Sequence, residues 1–125
     1  MDEKVLIIDD DPAFGRALSS LLRAKGYTVF AAMTGPEGVS EFQRTGSRVV
    51  LIDLIMPGTS GVEVIQQIRE MSSNVVIIAM SGAIPLERRG AGRPAVRAGA
   101  DICLPKPFEG NELINLLETF LKPPP

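Results

Sequence analysis

Three short runs of consecutive apolar residues constrain the fold of this chain most: Val5-Leu6-Ile7-Ile8, Val49-Val50-Leu51-Ile52 and Val75-Val76-Ile77-Ile78-Ala79-Met80. They are short for helices and do not alternate with polar residues. Each therefore reads as a strand buried on both faces, the condition of a parallel sheet covered by helices on two sides. Tyr27 to Ala32 and the brief Asp101-Ile102-Cys103-Leu104 read as two further strands.

The segments between these strands carry helical signals. Asp11 precedes Pro12 as an N-cap precedes a first-turn proline, and Phe14, Leu18, Leu21 and Leu22 follow on one face until Gly26 ends the pattern. Thr34-Gly35-Pro36-Glu37 has capping-box spacing ahead of a short helix carrying Val39 and Phe42. Ser60-Gly61-Val62-Glu63 repeats that spacing ahead of Val62, Ile65, Ile68 and Met71. Leu113, Leu116, Leu117, Phe120 and Leu121 define a last amphipathic helix. Between Ala83 and Gly99, Pro85, Gly90, Gly92 and Pro94 each oppose a helix, at about 1 kcal/mol for glycine and about 3 for interior proline, so any helix there should be short and late.

Strand-then-helix repetition without a repeat unit or linker predicts an α/β fold. We expect a doubly wound five-stranded parallel sheet of order 2-1-3-4-5, with right-handed crossovers. A chain of 125 residues suits a single core, so the expected domain is 1–122, with Pro123-Pro124-Pro125 a tail or the start of a stiff linker.

In such a sheet, ligands meet the carboxyl ends of the strands, where the order reverses. Strands one and three are neighbours there, and they end in Asp9-Asp10 and in Asp53, a residue expected to meet solvent rather than core. Carboxylates gathered in one pocket repel unless a cation sits among them. A hard divalent ion answers this, and Mg²⁺ fits best because it takes one or two carboxylates and keeps sites for water and phosphate oxygens. Lys106, after the fifth strand, supplies a mobile positive charge, and Ser81, after the fourth, a hydroxyl. Together these residues describe phosphoryl transfer to Asp53, with the charge on the moving group held by the metal, Lys106 and donors near Ser81.

Composition narrows the alternatives. The chain has no histidine, which excludes His-dependent triads and His-ligated zinc, and its single cysteine cannot form an internal disulfide. A net charge of -2 gives no overall attraction to nucleic acid or to an anionic membrane, and the N-terminal segment resembles neither a signal peptide nor a membrane span. The cytoplasm is the expected compartment. Asp11 reads as a cap rather than a ligand, Cys103 as a small core residue, and Arg88, Arg89, Arg93 and Arg97 as a solvated loop.

Along essentially its whole length the sequence resembles the receiver domain of two-component response regulators, whose fold is flavodoxin-like. The resemblance rests on Ile7-Ile8-Asp9-Asp10-Asp11, on Leu51-Ile52-Asp53-Leu54-Ile55-Met56-Pro57 with Gly61 four residues on, on Met80-Ser81-Gly82, and on Gly99-Ala100-Asp101 leading to Leu104-Pro105-Lys106-Pro107-Phe108. It implies that Asp53 is the phosphoacceptor and that Asp10, Asp53 and the Ile55 backbone carbonyl bind Mg²⁺ directly, with Asp9 acting through water. It also implies that Ser81 and Lys106 are the switch hydroxyl and the phosphate-binding lysine. The donor would be a phosphohistidine on a sensor histidine kinase or phosphotransfer protein, and the readout an output domain or downstream protein. Self-association of two copies is left open. The chain departs from the family pattern at Cys103, where a switch aromatic usually stands, and in the segment from Ser81 to Lys106, which is a few residues longer than usual. The output is expected to use movement of Ala83 to Arg97.

Three other functions fit the residues less well. An aspartyl-nucleophile, Mg²⁺-dependent phosphatase would need a general acid, commonly an aspartate two residues past the nucleophile, where this chain has Ile55. A flavin binder would bring its phosphate against the rim carboxylates. A receiver-like interaction module working without phosphorylation finds support only in Cys103 and the long loop.

Overall fold

A computed structural model of the protein describes residues 3–82 and 93–121. Its elements run β1 (Lys4–Ile8), α1 (Pro12–Ala24), β2 (Thr28–Ala32), α2 (Gly35–Thr45), β3 (Val49–Asp53), β4 (Ile55–Met56), β5 (Thr59–Ser60), α3 (Gly61–Met71), β6 (Val76–Ser81), α4 (Arg93–Ala98), β7 (Ile102–Pro105) and α5 (Gly110–Leu121). The main sheet has five parallel strands in the order β2-β1-β3-β6-β7, which is the 2-1-3-4-5 order expected from the sequence.

The continuous apolar runs fill both faces of this sheet. Leu6, Ile8, Val50, Ile52, Ile77 and Ala79 pack on one side with Phe42 of α2, Val64, Ile65 and Ile68 of α3 and Ala95 of α4. Val5, Ile7, Val49, Leu51, Ile78 and Met80 pack on the other with Leu18 and Leu22 of α1 and Leu113 and Leu117 of α5. Strand alternation thus divides each run between two cores, which is why polar residues could not be placed within it.

The caps stand where the sequence put them. Asp11 accepts from the backbone N–H groups of Ala13 and Phe14 at 3.0 and 3.2 Å, Thr34 from Glu37 at 3.2 Å, and Ser60 from Glu63 at 3.3 Å. Three features go beyond the sequence reading. The second helix is not short, since α2 runs 11 residues, with Phe42 buried and Val39 packed against the core. The hairpin β4–β5 has no alternating pattern to announce it; two residues a side, joined by Pro57-Gly58 with Gly58 at φ +69°, are too few to show one. A further link, between α3, β6 and the approach to β7, comes from Arg69. Its guanidinium donates to the carbonyls of Gly99 at 2.6 Å and Val75 at 2.7 Å and to Asp101 at 3.0 Å, while Asp101 also accepts from the Ile77 N–H at 2.8 Å.

The short, late helix expected before Gly99 is α4, of 6 residues. The rest of that expectation, including Arg88, Arg89 and most of the Ala83 to Arg97 segment, lies outside the described residues, as does the proline tail. Among the described residues no helix is long and apolar enough to cross a membrane.

Candidate phosphoryl-transfer site

Period-two alternation aims the site. On β1, Val5 and Ile7 face the α1/α5 core, so Asp9 continues that row just past the strand. On β3, Val49 and Leu51 lead in the same way to Asp53, and on β7, Ile102 and Leu104 lead to Lys106. Three charged residues far apart in sequence therefore arrive at one rim. Ligand oxygens of Asp9, Asp10 and Asp53 lie within 4.8 Å of one another.

Lys106 is the cation that faces them. Its Nζ donates to Asp9 Oδ2 at 2.8 Å and to Asp53 Oδ2 at 3.4 Å. The other oxygen of each carboxylate is held by backbone: Asp11 N–H donates to Asp9 Oδ1 at 2.9 Å and Ile55 N–H to Asp53 Oδ1 at 3.0 Å. Asp53 is only 7 % exposed, which corrects the expectation that it would meet solvent. The strand continues through Asp53 instead of stopping before it, and the Lys106 side chain reaches over the rim above it.

Burial pushes the Asp53 carboxyl above the ordinary aspartate range, and the neighbouring Asp9 adds to the rise; the Ile55 N–H and the Lys106 ammonium oppose it. Three carboxylates against one ammonium, all hard oxygen donors, make an acidic pocket suited to a hard divalent cation.

Ser81 ends β6, one residue beyond Met80, the register partner of Asp53. It is buried, its carbonyl accepts from the Lys106 N–H, and its Oγ meets Cys103 Sγ at 3.9 Å. Cys103 packs against the α2/α3/α4 core as the small residue the sequence suggested. Ile55 is 69 % exposed beside the acidic pocket, while its neighbour Met56 is buried.

Two residues that sequence reading placed only on an apolar helix face or in a motif also reach the site. Lys106 Nζ sits 4.0 Å from the centroid of the Phe14 ring, and Phe108 meets that ring edge to face at 5.9 Å. The only hint in the sequence is that Phe14 falls in the first turn after the acidic pair. Asp11 stays outside the acidic cluster as a cap, although its N–H holds Asp9.

The model of the response regulator receiver domain matches residues 5–118. The chain belongs to the response regulator receiver domain family. Among curated relatives it is similar to the sensory transduction protein RegX3 of Mycolicibacterium smegmatis, 33% identical over 118 residues, covering 94% of this chain and 50% of that protein. The CpxR homolog of Haemophilus influenzae, a transcriptional regulatory protein, is also 33% identical, over 95% of this chain and 50% of its own length. This receiver domain therefore spans about half the length of those relatives. Among solved structures, the CheY-like receiver domain of Methanospirillum hungatei superposes with a TM-score of 0.87 at 25% identity, covering 95% of this chain and 93% of that one. The chain is a receiver domain homologous to the phosphorylatable regulators of two-component systems.

Proposed function

We propose that this receiver domain takes a phosphoryl group onto Asp53 and passes the resulting change of charge to an output partner. The observation that carries this reading is the convergence of Asp9, Asp10 and Asp53 with the Lys106 ammonium at one strand-end rim.

The residues divide the work by chemistry. The Asp53 oxygen nearer Lys106 is the nucleophile: it forms the new O–P bond as the bond between phosphorus and its donor breaks, and the leaving group departs with a proton from solvent or donor. The other oxygen remains held by the Ile55 N–H, which fixes the carboxylate plane. The Lys106 ammonium stays with the phosphoryl oxygens as they approach, and the Ser81 hydroxyl offers them a further hydrogen bond. Mg²⁺ is the proposed cofactor, held by Asp10, Asp53 and the Ile55 carbonyl, with Asp9 through water; when bound it would neutralise charge on the transferring group.

The acyl phosphate adds nearly two negative charges beside Ser81 and thereby draws on the loop that follows β6, the proposed output segment. The donor would be a phosphohistidine of a sensor kinase or phosphotransfer protein, and the reader an output domain of the kind that the greater length of the relatives leaves room for. The domain would be a switch that assists its own phosphorylation rather than an enzyme acting on a small substrate, consistent with the apolar Ile55 at the position where a phosphatase needs its acid. Borohydride trapping of the acyl phosphate followed by peptide mapping tests the assignment: reduction should convert Asp53 alone, and a trapped site elsewhere would reject it.

A further inference from the structure

Resting on that reading of Asp53 and Lys106, we propose that Phe14 is a positioning residue: the face of its ring holds the Lys106 ammonium at the transfer site through a cation–π interaction. The ammonium has three N–H groups, and its two carboxylate contacts, 2.8 Å to Asp9 and 3.4 Å to Asp53, leave one side to be occupied by water or by another group. The Phe14 ring occupies it, with Nζ 4.0 Å from the centroid. The Lys106 side chain is left 18% exposed. A charge already stripped of much of its water on that side meets arriving phosphoryl oxygens with little reorganisation.

The ring is itself held from two directions. Phe108, two residues beyond Lys106 on the same segment, contacts it at 88° and 5.9 Å between centroids. On the α1 side, the Phe14 N–H donates to the Asp11 cap at 3.2 Å, and the Asp11 N–H donates to Asp9 at 2.9 Å. The backbone of Phe14, the Asp11 cap and the Asp9 carboxylate are thus linked in series, and Lys106 spans from that series to Asp53. An aliphatic side chain at position 14 could fill the same volume but would not attract the ammonium.

The experiment is a graded fluorination of the Phe14 ring in the full chain, from 4-fluoro to 3,5-difluoro to 3,4,5-trifluorophenylalanine. Each step weakens the negative face of the ring while keeping its shape. Phosphorylation by phosphoramidate with Mg²⁺ is followed by intact mass, and folding by urea denaturation. The expected result is a stepwise fall in the phosphorylation rate, reaching about 3- to 10-fold in the trifluoro protein, the range of a partly desolvated cation–π contact. The denaturation midpoint should fall only slightly along the series, the protein staying fully folded at the assay condition, and Phe14→Tyr should keep the wild-type rate. A rate that does not vary along the series, in a wild-type protein that is phosphorylated on Asp53, overturns the role of Phe14 alone. A wild-type protein that takes up no phosphoryl group overturns both this inference and the functional reading beneath it.

Discussion

Ser81 Oγ and Cys103 Sγ meet at 3.9 Å, side chain to side chain, between adjacent strands at the rim of the sheet. The hydroxyl the phosphoryl group would draw on is thus next to a small, soft thiol that makes only a weak hydrogen bond. Ser81 can leave that contact at little cost, with no large ring displaced. Cys103→Ala should leave phosphorylation within about twofold of wild type and destabilise the fold by about 1 kcal/mol, a methyl-sized loss. Ser81→Ala should keep the fold and slow phosphorylation about tenfold, the loss of one charge-assisted hydrogen bond. Phosphorylation time courses and urea denaturation of both variants check this; a slow Cys103→Ala protein would mean that the thiol itself takes part.

Gly61 is required by proximity. A Cβ built on it would lie 2.8 Å from the Leu54 Cα and 3.2 Å from the Asp53 carbonyl oxygen, both backbone neighbours with little freedom to retreat. Gly61→Ala should therefore cost about 1–3 kcal/mol, as overpacking does. It should also slow phosphorylation by shifting the backbone that carries Asp53. Unchanged stability and rate would show that α3 can slide away from the end of β3.

The raised affinity of Asp53 for its proton has a determinate sign. A carboxyl that holds its proton more tightly in the native state than in the unfolded chain contributes most to stability at low pH, and that contribution is lost as pH rises through the native value. In a chelating buffer, Asp53→Asn should be more stable than wild type at neutral pH. The difference should shrink as pH falls from the raised native value toward the ordinary aspartate value. Added Mg²⁺ should stabilise the wild type more than the variant. Urea midpoints across mildly acidic to neutral buffers read this directly; a gap that widens toward acid would contradict it.

Ile55 is apolar, 69 % exposed and two residues past Asp53, and in the proposed phosphorylated state its side chain would hinder water approaching the acyl phosphate. Loss of phosphate should be slow, and Ile55→Asn should speed it by about 3- to 30-fold, the span of about 0.7–2 kcal/mol for orienting one water. Quenched samples weighed by mass spectrometry give the rates. A wild-type lifetime of seconds would remove any shielding role for Ile55.

How far the sequence carried the account differs between elements for physical reasons. Runs such as Val49 to Ile52 declare a doubly buried strand locally, and the chain order of helices and strands then leaves few topologies, so the sequence alone brings Asp9 and Asp53 together. The caps at Asp11, Thr34 and Ser60 were legible because a cap acts within three residues. Contacts between distant segments left no such trace. Arg69 reads as a surface residue of an amphipathic helix, yet it ties Gly99, Val75 and Asp101 together. Phe14 reads as one more apolar position, yet it lies under Lys106. The burial of Asp53 has no local sign, since Lys106, which reaches its carboxylate at 3.4 Å, lies 53 positions along the chain.

The central claim is that Asp53 accepts a phosphoryl group in a pocket that needs a divalent cation. Intact-mass spectrometry of the wild type and of Asp53→Asn, each incubated with phosphoramidate in the presence of Mg²⁺ and again with a chelator, tests it most directly. The account predicts one phosphate adduct on the wild type with Mg²⁺ and none in the other three samples. An adduct of equal size on Asp53→Asn, or none on the wild type with Mg²⁺, would contradict it.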